Sequence, residues 1–106
     1  MNPERHTEIA RSLTRNGGID AVLLGDAYAA REVNSPVAAP VLAEIRTISE
    51  LVHDDVRAIV GAYTIMARHD PEATIIVAVQ TGHPICKSLN RLIRQAKRQA
   101  KRRRGD

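Results

Sequence analysis

The chain has 106 residues, a formal charge of +4, one cysteine and two aromatic side chains, Tyr28 and Tyr63. That length suits a single domain and excludes two independent cores. A lone Cys86 excludes an internal disulfide and fits a reducing compartment.

The first element read in chain order is a helix. In "NPER", residues 2–5, Asn2 is placed as N-cap, Pro3 at the first helical position and Glu4 in the first turn. Ile9, Ala10 and Leu13 give it a short apolar face, and "NGG" at 16–18 supplies its stop. Asp20 can cap a second helix in which Leu23, Leu24, Ala27, Tyr28 and Ala30 recur at helical spacing, ended by "NSP" at 34–36. The third segment is the clearest. Val41, Leu42, Ile45, Ile48, Leu51 and Val52 form one face, opposite Glu44, Arg46, Ser49 and Glu50.

"HDD" at 53–55 breaks the chain, and Val56, Ile59, Val60, Tyr63 and Met66 suggest a fourth helix. The stretch "DPEATIIVAVQTGHP", residues 70–84, is ambiguous. Its β-branched run favours a strand, whereas Asp70-Pro71-Glu72 and Gly82 with Pro84 mark a helix start and stop. A strand needs partners, and "IDAVLLG" at 19–25 and "VRAIVGAY" at 56–63 fit helical spacing at least as well. The sequence therefore predicts an all-α single domain of five or six short helices with a projecting basic C-terminal helix. The alternative is a small α/β domain with strands near 19–25, 56–62 and 73–80.

Charge is distributed unevenly. Residues 1–83 carry −4, while nine Lys or Arg after Pro84 face a single acid, Asp106. A helix beginning near Pro84 aligns Ile85, Leu89, Leu92, Ile93, Ala96 and Ala100, with no large apolar residue beyond Ile93. This divides the chain into a helical domain, 1–94, and a basic arm, 95–106. Arg91, Arg94, Lys97, Arg98, Lys101, Arg102, Arg103 and Arg104 are the candidate nucleic-acid contacts. Like charges three or four positions apart repel, and phosphates relieve that repulsion while releasing counterions. With few base-reading amides and no exposed aromatic, duplex backbone is the expected target. The competing readings are a solvated charged face, an acidic protein partner and an anionic lipid surface. Lipid is disfavoured because the arm lacks apolar residues to insert. A core without large rings also makes a homo-oligomer a candidate.

Catalytic signals are weak. His83 and Cys86 in "GHPIC" could form a thiol site at a helix start, but no acid orients the histidine. Glu50 and His53 in "ELVH" have the spacing of carboxylate-bridged metal bundles, yet only one copy is present where two are needed. Residues 47–63 outline a helix-turn-helix whose second helix offers Arg57 behind Asp54 and Asp55. An ordinary hairpin is the better reading. No metal or cofactor is expected, and an accessory or regulatory role is favoured over an enzyme. The polar N-terminus and the lack of a long apolar run predict a cytoplasmic chain without a membrane span.

Overall fold

A computed structural model describes residues 3–16, 19–32, 37–71, 73–84 and 88–103. The chain order is α1 (Pro3–Asn16), β1 (Ala21–Leu24), β2 (Ala27–Ala30), α2 (Ala39–Val52), β3 (Val56–Val60), β4 (Tyr63–Arg68), β5 (Ile75–Gln80) and α3 (Leu89–Arg103). The five strands form one antiparallel sheet in the order β2-β1-β5-β4-β3. Helices α1 and α3 cover one face and α2 covers the other. The fold is a three-layer α/β/α sandwich.

This overturns the all-α expectation. Only α1, α2 and the last helix match the predicted helices. The predicted second helix is the β1–β2 hairpin, the fourth is the β3–β4 hairpin, and residues 75–80 are the central strand. The physical reason is burial on both sides. Ile75 to Val79 are all buried, with Ile75, Val77 and Val79 facing α1 and α3, and Ile76 and Ala78 facing α2. A strand covered on both faces loses the alternation of polar and apolar residues, so its sequence reads as a continuous apolar run. β1 and most of β4 have the same character. Each hairpin turns on two residues whose first is glycine, Gly25-Asp26 and Gly61-Ala62. Both glycines have φ +60, as a type II′ turn requires at its first central position.

The basic end also differs from expectation. α3 does not project at its second half: Ala96 and Ala100 are 2% and 1% exposed and belong to the same core as Leu89 and Ile93. Their small side chains allow close approach to α1, and Ser12 Oγ donates to Gln99 Oε1 at 2.6 Å across the contact. Alanines that looked like the fading of an apolar stripe continue it into the core, as buried as Leu89 and Ile93.

α2 begins with Pro40 in its first turn and ends at His53, whose φ of 54 closes the helix in the left-handed region. Beyond it a hydrogen-bonded knot ties three elements. Ser49 Oγ donates to the Asp54 carbonyl at 2.5 Å, and His69 Nε2 lies 2.9 Å from that hydroxyl and 3.0 Å from the same carbonyl. With its single proton given to the carbonyl, the hydroxyl accepts from His69, which fixes the Nε2–H tautomer. Asp55 Oδ1 accepts the His69 backbone N–H at 2.9 Å.

Candidate functional site

The cationic surface comes from one helix. Arg91, Arg94, Arg98 and Lys101 are exposed and follow one another at helical spacing along the side of α3 opposite Leu89, Ile93, Ala96 and Ala100. Ten rises of about 1.5 Å, from Arg91 to Lys101, make this row about 15 Å long. Among the described residues no hydrogen bond or ion pair engages these four cations. Lys97 is different: its Nζ contacts both Asp70 carboxylate oxygens, at 3.1 and 2.9 Å. It anchors the helix to the segment before β5. Arg102 and Arg103 continue the helix, with side chains outside the described residues, as are Arg104 and Cys86.

His83 is exposed and borders a cleft of about 630 Å³ lined also by Arg57, Ile59, Thr64 and Thr81. The helix-turn-helix outline at 47–63 is replaced by α2 followed by β3, so Arg57 stands on a strand. Both tyrosines are on strands, not helix faces. Tyr28 is partly exposed and donates its hydroxyl to the Val37 carbonyl at 2.7 Å. Among the described residues no group of three His, Cys, Asp or Glu could hold a metal ion, so Glu50 and His53 gain no partners. Ser49 and His69 form a serine–histidine contact, but Ser49 is fully buried and its proton goes to a carbonyl. It is a structural link, not a nucleophile.

A second cleft, of about 670 Å³, opens between the start of α1, the β1–β2 turn and α2. Arg46 crosses its wall and donates to the Gly25 carbonyl at 2.6 Å, and the buried His6 ring lies close against Gly25.

The sequence reading missed the third surface. Among the described residues the exposed large apolar side chains are Tyr28, Ile48, Leu51, Val52, Ile59 and Val60; five belong to α2 or β3. Arg46 fixes the orientation of α2, because its flank reaches the β1–β2 turn. Ile48 and Val52 occupy the other flank, which overhangs β3. Their exposures of 46% and 57%, with 42% for Val60 on the α2 side of β3, leave an apolar shelf along the sheet edge, while Leu51, 74% exposed, stands on the outer face of α2 opposite Leu42, Ile45 and Ser49. β3 is that edge, and it carries no Pro, no Lys and one Arg. Native edges are usually guarded by such residues, by bulges or by a covering element. The signal in the sequence was the width of the α2 stripe, six large apolar residues on a helix that one sheet face cannot cover.

These surfaces and this topology define a small three-layer α/β/α domain with a five-stranded antiparallel sheet, an apolar edge and a cationic outer helix. No family model, characterised protein or solved structure matches the chain. Among the described residues no helix is long and apolar enough to cross a membrane.

Proposed function

We propose that this protein is a small self-assembling interaction module: a second copy covers the α2–β3 surface, and the α3 face of each copy holds a polyanionic partner, nucleic acid being the candidate raised by the charge distribution. The observation that carries this reading is the concentration of exposed apolar side chains on α2 and the unguarded edge β3. Contiguous apolar patches on a protein surface mark interaction sites.

A second copy suits this edge because the edge is self-complementary. Antiparallel pairing of two β3 strands about Ala58 sets Val56 opposite Val60 on the α2 side and Arg57 opposite Ile59 on the other. No arginine then faces an arginine across the strands. Such an isologous contact closes at two copies and joins two sheets into one of ten strands. Ile48 and Val52 of both copies would meet over the joined edges.

The test is the oligomeric state of the full chain by sedimentation, for the wild type and the uncharged double variant Val52→Gln, Val60→Gln. A wild-type dimer and a folded monomeric variant are the supporting result. A monomeric wild type at high protein concentration would overturn the assembly reading, as would a variant that dimerises as tightly as the wild type.

A further inference from the structure

We infer that the exposed face of α3 is a grip for nucleic-acid backbone, and that assembly sets two such grips on one side of the molecule. The second half of this inference rests on the proposed self-association; the first stands on one chain.

The row Arg91, Arg94, Arg98, Lys101 is held on a rigid support, since the opposite side of α3 is buried from Leu89 to Ala100. Lys97–Asp70 and Ser12–Gln99 fix its rotation and position. The four cations are therefore presented in a set line with no acidic residue anywhere on the helix. Adjacent members lie three or four positions apart and repel. A ligand with anions repeated along a line relieves all of these contacts at once. Duplex nucleic acid offers one phosphate per about 3.4 Å of axis on each strand, and a line of about 15 Å can meet several.

The composition of the face selects among polyanions. The residues beside the row are Asn90 and Gln95, both exposed and polar. Among the described residues nothing apolar stands there to enter a lipid layer, so a membrane lacks the insertion term that holds amphipathic helices at interfaces. Protein interfaces draw most of their energy from Trp, Tyr and Arg anchors desolvated in packed pockets, and among the described residues these arginines have no apolar or aromatic neighbour on the face to exclude water around them. Counterion release from a phosphate backbone needs no anchor. The lack of an aromatic also removes base stacking and favours duplex over single strands. Three of the four cations are arginines, which can grip phosphate oxygens in pairs.

Antiparallel edge pairing preserves the faces of the sheet, so in the β3–β3 dimer both α3 helices stand on the same side. Between them lies the floor formed by the two β3 strands. Arg57 and Ile59 belong to that floor, since their partners Met66 and Thr64 are on the α1–α3 side of β4. Arg57 is exposed and adds a cation from each copy.

The experiment measures binding of random-sequence duplex DNA and duplex RNA across a salt series, with phosphatidylserine vesicles as a third arm. It uses the full-length wild type, the triple variant Arg91→Gln, Arg94→Gln, Arg98→Gln, and the double variant Val52→Gln, Val60→Gln. Four phosphates per chain give a slope of log K against log salt of about −3.6, and a dimer engaging one duplex with both faces about −7. The triple variant should lose at least tenfold in affinity and flatten the slope by about 2.7 per chain, while sedimenting like the wild type. The double variant should keep the one-chain slope and lose the steeper dimer slope. Duplex binding unchanged in the triple variant would overturn the inference, as would vesicle binding in place of duplex binding. A double variant that remains dimeric refutes the assembly surface and leaves the α3 grip to be judged by the triple variant alone.

Discussion

Lys97 Nζ sits between the two carboxylate oxygens of Asp70, 2.9 and 3.1 Å away, and joins the middle of α3 to the segment that leads into the central strand. The pair is partly shielded, with side-chain exposures of 23% and 17%. It should therefore exceed the near-zero contribution of a fully solvated ion pair. Asp70→Asn is expected to destabilise the protein by about 1–2 kcal/mol, read as a lower urea midpoint with unchanged slope. Arg94→Gln, which removes an exposed charge from the same helix, should change stability by no more than about 0.5 kcal/mol. Equal effects of the two substitutions would show that the Lys97 contact contributes nothing specific.

Ala96 and Ala100 distinguish a packed helix from a projecting arm. Both lie in the core shared by α1, α3 and the sheet, where a carboxylate would be desolvated without a partner. Ala100→Asp should cost roughly 3 kcal/mol or more. Lys101→Asp, one position along and exposed, should cost a small fraction of that. An arm that left the body after Ile93 would tolerate both equally. Thermal unfolding of the two variants beside the wild type makes the comparison.

The same two alanines explain what the sequence made legible and what it hid. α2 was readable as a helix because its period survives in the sequence, but its faces were read only in part: Ser49, assigned to the polar face, is buried, while Ile48, Leu51 and Val52, assigned to the apolar face, are exposed. α1 was readable from Pro3, Glu4 and its three core residues. β5 was hidden because Ile75 to Val79 are buried on both sides and carry no period. Its flanking Asp70-Pro71-Glu72 and Gly82 imitate helix boundaries. The hairpins were more accessible than the helical reading allowed: "LLGDAY" and "IVGAYT" each place a glycine first in a two-residue gap between apolar runs, a hairpin pattern. Giving those glycines their turn geometry supplies β2 and β4, the strands missing from the α/β alternative, and removes the objection that β5 lacked partners. Of the candidate site, the cationic residues were visible as composition, but their support was not. The apolar edge depends on which strand ends the sheet, and only topology decides that.

Gly25 and Gly61 occupy equivalent turns with the same φ of +60, yet substitution should affect them unequally. A Cβ on Gly61 meets nothing within 4 Å, whereas one on Gly25 would stand 2.8 Å from His6 Nδ1. Gly61→Ala should cost at least about 1 kcal/mol through backbone strain alone. Gly25→Ala should cost about 1 kcal/mol more, because the buried His6 ring must leave its position. Denaturant midpoints that agree for the two variants would mean that His6 yields freely.

His53 closes α2 with φ 54 and ψ 41, the only non-glycine residue with positive φ among those described. Its backbone N–H reaches the Ser49 carbonyl, and the side chain is exposed. The His53 Cβ thus adds a left-handed penalty to a cap whose hydrogen bond any residue could supply. Glycine accepts this conformation without a Cβ clash, and its greater freedom in the unfolded chain cancels only part of the gain. His53→Gly should raise stability by about 0.5–1 kcal/mol, seen as a higher urea midpoint. His53→Val, with a branched Cβ in the same conformation, should lower it. The opposite order would mean that the His53 side chain supports the turn into β3 more strongly than its backbone strain opposes it.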